Sequence, residues 1–153
     1  MKKRILVSGS SGFLGSCIHE FFVNENYEVI KAGRSLESDI KIDLSLNKLD
    51  NIDVDYVIHV AGKAHVIPKT EEEKREFFNV NYIGTYNLLH GLGTAKLVSI
   101  IFISTVAVYG KEVGELIDEK SPLLGNTPYA LSKIQAEELI VDFGLTNNIK
   151  NVV

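Results

Sequence analysis

Ser8-Gly9-Ser10-Ser11-Gly12-Phe13-Leu14-Gly15 is the stretch that decides how this chain folds. Before it comes a short apolar run, Arg4-Ile5-Leu6-Val7, which reads as a buried strand. After it, Cys17-Ile18-His19-Glu20-Phe21-Phe22-Val23 spaces its apolar residues as a helix does. Strand, glycine-rich turn and helix, in that order, are the setting of a dinucleotide-binding turn. The spacing is Gly-x-x-Gly-x-x-Gly rather than the more familiar Gly-x-Gly-x-x-Gly, yet each glycine has a physical task. Gly9 lets the chain turn off the strand, Gly12 leaves a pyrophosphate room against the backbone, and Gly15 lets the helix pack close. The helix start then offers free N–H groups and a positive dipole end to phosphate. Ser11, Phe13 and Leu14 share the turn and are grouped with Gly9, Gly12 and Gly15 as cofactor-binding candidates. No Gly-Lys-Ser/Thr follows, which argues against a Walker-type phosphate loop. A plain tight turn would also account for the glycines, so the rest of the chain decides.

Composition narrows the classes. The 153 residues suffice for one domain with a real core. A hydrophobic share of 45% and a charged share of 24% are those of a water-soluble globular protein. A net charge of −4 gives no electrostatic footprint for nucleic acid. Lys2-Lys3-Arg4 resembles the start of a signal peptide, but the apolar run behind it breaks after Val7. No apolar run is long enough for a membrane span. The single cysteine, Cys17, has no partner for an internal disulfide and reads as a small core residue of the first helix. Together these features predict a cytoplasmic protein with neither nucleic-acid nor membrane partners.

Strands and helices alternate along the chain. Strands are expected at 3–8, 28–32, 39–43, 54–60 and 98–104. Helices are expected at 13–24, at 71–92 behind an acidic first turn, and at 128–143. Thr127 is the N-cap of the last helix, Pro128 its first residue and Gly144 its stop. Near-continuous apolar strands between helices imply a doubly wound, Rossmann-like parallel α/β sheet. Ligands on such sheets sit beyond the carboxyl ends of the strands. The residues there are the Gly9 turn, Gly33-Arg34, Asp43, Ala61-Gly62-Lys63 and Ser104-Thr105.

Tyr129-Ala130-Leu131-Ser132-Lys133 carries the chemistry. Tyrosine and lysine at i and i+4 share one helix face. A phenol is a poor acid–base group at neutral pH because its ordinary pKa is about 10, and a nearby ammonium stabilises the phenolate. Such a spacing also arises by chance. Its weight comes from the glycine turn and from the hydroxyls of Ser104-Thr105 after the fifth strand.

Five segments in order resemble the extended short-chain dehydrogenase/reductase family, the NAD(P)-dependent sugar-nucleotide epimerases and dehydratases. They are residues 9–15, Val57-Ile58-His59-Val60-Ala61-Gly62, Asn79-Val80-Asn81 with Gly84-Thr85, Ser104 through Gly110, and Tyr129 through Lys133. The resemblance implies that Tyr129 is the catalytic acid–base and that Lys133 lowers its pKa and binds the nicotinamide ribose. It implies that Thr105 polarises the substrate oxygen, with Ser104 as a second candidate. Asp43, with Leu44 beside it, matches the adenine-binding acid. Val60, Ala61, Gly62 and Lys63 match the loop under the ribose and nicotinamide, and Asn81 lies near them. Tyr109 belongs to the strand-five motif and is not the catalytic phenol. The Asp118-Glu119 turn matches an acidic loop near the substrate, and solvation alone would also explain it. The long helices imply a homodimer.

Two departures from the family pattern matter. NAD-preferring relatives end the second strand with an acid, whereas this chain has Gly33, Arg34 and Ser35. An acid repels a 2′-phosphate and arginine holds one, so NADP is favoured over NAD; stacking of Arg34 on adenine is the alternative. The chain also stops at Ile149-Lys150-Asn151-Val152-Val153, the expected opening of strand six. The resemblance therefore implies that 1–153 is a dinucleotide-binding domain without the C-terminal substrate domain that would hold the nucleotide sugar, and that it is inactive alone. A non-catalytic NADP-binding sensor is the second reading, and a flavin reductase of similar topology, which would not need Tyr129, a third. His59 and His65 flank a strand end, but no third ligand has metal-site spacing, so no metal is expected. Glu71 to Glu73 and Glu137-Glu138 read as exposed helix faces.

Overall fold

The computed structural model describes residues 2–64, 66–111, 113, 114 and 116–153. The chain opens with strand β1 (Arg4–Ser8), helix α1 (Phe13–Asn24) and strands β2 (Glu28–Gly33), β3 (Ile40–Lys41), β4 (Ile52–Asp53) and β5 (Tyr56–His59). A continuous helical run follows as α2 (Glu71–Phe77), a π-helical segment (Phe78–Ile83) and α3 (Gly84–Leu89). Then come β6 (Leu92–Gly93), β7 (Ser99–Phe102), a 3₁₀ turn (Val106–Tyr109), α4 (Pro128–Asn147) and β8 (Lys150–Val152).

The main sheet has the order β3-β2-β1-β5-β7-β8, and every pairing in it is parallel. Register aligns Ile30, Leu6, Val57 and Ile100 across four strands. Because side chains alternate along a strand, this row faces one layer and its neighbours face the other. Leu6, Val57, Ile100 and Phe102 pack with Leu88, Leu89, Ala136 and Ile140 from α3 and α4. Ile5, Val7 and Ile58 pack on the opposite face with Ile18 and Phe22 of α1. The sheet is thus wound in both directions from β1, and the strand order reverses between β1 and β5.

Several element ends differ from the sequence reading. The third strand is only Ile40–Lys41. The long helix ends at Leu89, and Leu92 instead joins β6, which pairs in parallel with β4 as a small second sheet. Gly144 does not stop α4; the helix continues to Asn147 and closes on Asn148 in the left-handed conformation. A Cβ on Gly144 would lie 2.0 Å from Asn151 Nδ2 and 2.8 Å from Ile149 O. That glycine lets the returning chain cross the helix closely enough to form β8. Cys17 is exposed on α1 rather than buried. The expected opening of strand six is present as β8, whose Lys150–Val152 pairs in parallel with Ser99–Ile101.

Candidate functional site

A cavity of about 360 Å³ opens where the strand order reverses. Its floor is the turn after β1. Gly9 takes a φ of +71°, and a Cβ there would lie 2.7 Å from Ala61 N. A Cβ on Gly15 would lie 2.2 Å from Gly9 O, so only glycine permits α1 to start this close to the strand. Gly12 differs: a Cβ would meet only Gly9 O, at 3.4 Å, and otherwise project into open space. The backbone at Gly12 is therefore open to a group lying over the turn, as a pyrophosphate requires. Phe13 is 89% exposed at the start of α1.

Of the residues read from the sequence as cofactor contacts, Gly9, Ser11, Gly12, Phe13, Leu14, Gly15, Arg34, Asp43, Leu44, Val60, Ala61 and Gly62 all line this cavity. Ser35 lies in the neighbouring turn, where its hydroxyl accepts from Glu37 N at 3.2 Å. Arg34 reaches across the mouth toward Asp43, with Nη1 3.9 Å from Oδ2. Ser45 donates its hydroxyl to Asp43 Oδ1 at 2.6 Å and its N–H at 3.0 Å. That hydroxyl, aided by the Ser45 N–H and Arg34, holds the Asp43 carboxyl below the ordinary range.

The far wall is tied to the last helix. Asn81, buried in the π-helical segment, accepts from Lys63 N at 2.7 Å. Its amide donates to Lys63 O at 3.1 Å and to Ser132 Oγ at 2.9 Å. Ser132 in turn donates to Tyr129 O at 2.7 Å. One asparagine side chain thus fixes the loop after β5 against the helix that bears Tyr129 and Lys133. A π-helical turn shifts the following side chains relative to an α-helix and often occurs where a site is built. Lys63 also pairs through its ammonium with Glu76.

α4 begins as its sequence suggests: Thr127 accepts from Ala130 N at 3.1 Å, and Pro128 occupies the first turn. The Tyr129 ring packs against Phe77, with centroids 5.9 Å apart. Lys133 is only 4% exposed. Its Nζ donates to Ile103 O at 2.6 Å and lies 3.8 Å from the centroid of the Phe102 ring. Burial pushes its ammonium down to about 8, opposed by Glu137. Thr105 caps the 3₁₀ turn beyond β7, accepting from Ala107 N at 3.2 Å.

Glu137, which reads in the sequence as part of an exposed face, is instead half-buried and accepts from the Ser104 hydroxyl. Burial raises its carboxyl above the ordinary range, against the pull of Ser104 and Lys133. Its place one turn beyond Lys133 is the available signal. Glu138 is exposed as expected. Glu73 closes a capping box with Thr70, a task beyond solvation. Asp118 accepts from Lys120 N at 3.1 Å and Ser121 Oγ at 3.0 Å in an exposed turn. His65 lies outside the described residues. His59 is buried and hydrogen-bonded to Ser8 and Thr85.

The parallel, doubly wound sheet with a glycine turn at its switch point defines the Rossmann-like class. Within that class the chain belongs to the NAD dependent epimerase/dehydratase family, whose model matches residues 5–153. It is similar to the UDP-glucose 4-epimerase of Azospirillum brasilense, 27% identical over 98% of this chain and 47% of the relative. The dTDP-glucose 4,6-dehydratase of Haemophilus influenzae is 31% identical over 89% of this chain and 50% of its own. Among solved structures, the UDP-glucose 4-epimerase of Thermus thermophilus in complex with NAD superposes with a TM-score of 0.78. It is 26% identical, and the match covers 97% of this chain and 53% of its own. The chain spans about half the length of the curated relatives it matches.

Proposed function

We propose that residues 1–153 are the dinucleotide-binding domain of a nucleotide-sugar epimerase, dehydratase or reductase, working in the cytoplasm. The observation that supports this most is the Asn81 side chain. It joins the loop lining the cavity to the helix of Tyr129 and Lys133. On this reading the open backbone at Gly12 takes the pyrophosphate, Asp43 the adenine, and the cavity-lining Ala61 and Gly62, with Lys63 next in the loop, the ribose and nicotinamide. When bound, the nicotinamide supplies the hydride acceptor and donor. Tyr129 takes the proton of a sugar hydroxyl at its phenolate oxygen and later returns one. Lys133, as an ammonium, stabilises that phenolate and hydrogen-bonds the ribose. The Thr105 hydroxyl accepts from Ala107 N and keeps its hydrogen to donate to the substrate oxygen.

NADP is the favoured dinucleotide, because Arg34 stands at the end of β2 with a 79% exposed side chain. The NAD bound to the Thermus thermophilus relative makes NAD the alternative. Arg34→Ala is expected to weaken NADPH binding about tenfold or more, the scale of a charge-assisted phosphate contact, and to leave NADH nearly unchanged. Equal losses in a fluorescence titration would reverse the preference. A homodimer forms through α2 and α4; the exposed Leu131, Val141 and Leu145 on α4 support that surface. On this reading the 153 residues, which span about half the length of the relatives, bind dinucleotide without turning over sugar nucleotide.

The acid–base role is tested by Tyr129→Phe in the protein that carries the sugar-binding portion. We expect kcat to fall about 100-fold or more, with dinucleotide affinity kept. Near-normal turnover would remove Tyr129 from that role.

A further inference from the structure

Four groups from three separated elements meet in the interior below the cavity. Ser8 Oγ lies 2.5 Å from His59 Nδ1, and His59 Nε2 lies 2.8 Å from Thr85 Oγ1. Thr85 donates to Asn81 O at 2.6 Å. Ser8, His59, Thr85 and Asn81 are all essentially buried. The direction of this chain follows from the number of hydrogens. Thr85 has one hydroxyl hydrogen, and Asn81 O takes it, so the bond from His59 must be donated by Nε2–H. Nδ1 then accepts, and Ser8 supplies the hydrogen. The Ser8 oxygen in turn accepts from Val60 N at 3.2 Å and Ala61 N at 3.3 Å. Every member is satisfied with the imidazole neutral. A second ring proton would leave two donors facing each other between His59 and Ser8.

Ser8 is the last residue of β1, directly before Gly9, and Val60-Ala61 begins the cavity-lining loop packed against that turn. Asn81, at the far end of the chain, holds Lys63 and Ser132. We infer that His59 is a positioning residue for the cofactor site. As a neutral Nε2–H imidazole it sets the glycine turn and the Val60–Lys63 loop at a fixed distance from the helix of Tyr129 and Lys133. It acts through Ser8 on one side and through Thr85 and Asn81 on the other. This rests on the reading of the cavity as a dinucleotide site. Burial, with the Lys133 charge, pushes the imidazole down to about 3, so it stays neutral at working pH. The Phe102 ring packs against His59, at 5.3 Å between centroids. Ser8 and Thr85, the other groups that face it, do not ionise.

The test uses NADH and NADPH fluorescence titrations of the 153-residue chain and three variants. His59→Leu removes both polar atoms and leaves Ser8 and Thr85 short of a partner. Its dinucleotide affinity is expected to drop about tenfold or more, the scale of unpaired buried groups. His59→Gln keeps one acceptor and one donor on an uncharged group and is expected to recover most of that loss. Ile149→Ala opens a cavity in the core beyond α4, in a residue that bonds to none of these four groups, and lowers Tm without lowering affinity in the folded protein. A loss of affinity that follows Tm alike in all three variants would reduce His59 to a packing role. Binding by His59→Leu equal to that of the original chain would overturn the role of His59 alone. No dinucleotide binding by the original chain would overturn the cavity reading and this role with it. Should His59→Leu fail to fold, nitrogen NMR of the unsubstituted chain decides. An Nε2–H tautomer unchanged from pH 8 to 5 supports the assignment, and an Nδ1–H form or a titration within that range overturns it.

Discussion

Lys133 has two constraints that pull in opposite directions. It is nearly enclosed, packed on the face of Phe102 and donating to Ile103 O, and enclosure disfavours its charge. Its proposed work needs that charge. Since burial holds it at about 8 in the free protein, it is an ammonium below that pH and an amine above it. Dinucleotide affinity is therefore expected to fall as pH rises from 7 to 9, and Lys133→Met should flatten the profile at a weaker level. A fluorescence titration series checks this, and a flat profile for the unsubstituted chain would contradict it. The sequence shows that Tyr129 and Lys133 belong to one helix, α4, because their spacing is local, but not that the Tyr129 ring packs on Phe77 while Lys133 turns to Ile103 O and Phe102. His59 is visible there only as a histidine at a strand end. Its partners lie 51 and 26 residues away, and nothing local encodes such contacts. Glu137 escapes for a similar reason: a glutamate beside another on a helix looks solvated until the strand-end hydroxyl of Ser104 is brought against it.

At the scale of elements, β1, the glycine turn and α1 follow the sequence closely, because strand period, turn glycines and helix period each agree with the same layout. The run from Glu71 is harder. Its apolar spacing reads as one helix, and the π-helical segment within it leaves no mark in that periodicity. Yet this segment brings Asn81 inside, where its side chain makes three hydrogen bonds. Asparagine is a weak helix former that competes for backbone groups, so its burial there is explained by those bonds rather than by propensity. Gly144 shows the same limit from the other side. A glycine near a helix end reads as a stop, but here it admits the returning strand. The junction of β1 and α1 gives a prediction. Gly15→Ala would set a Cβ 2.2 Å from Gly9 O, against backbone that cannot move aside cheaply. It is expected to cost about 2 kcal/mol or more in urea unfolding, with loss of dinucleotide binding. Unchanged stability would mean that the turn and helix are less closely packed than described.

For the whole molecule, two faces of one parallel sheet are covered by different helices, and the strand order reverses where the cavity opens. That arrangement puts backbone N–H groups, an arginine and a carboxylate around one crevice, and Asn81 ties the loop on its wall to the last helix. The central claim is that this crevice takes a dinucleotide over the Gly12 backbone. Gly12 has ordinary extended backbone angles, and a side chain there meets almost nothing of the protein. Gly12→Val should therefore fold as the original chain does and fill the space meant for the pyrophosphate. The direct measurement is calorimetric titration of NADPH and NADH into the 153-residue chain and into Gly12→Val at matched Tm. We expect saturable binding at one site per chain by the former and none by the latter. No binding by either protein, or equal binding by both, would contradict the account.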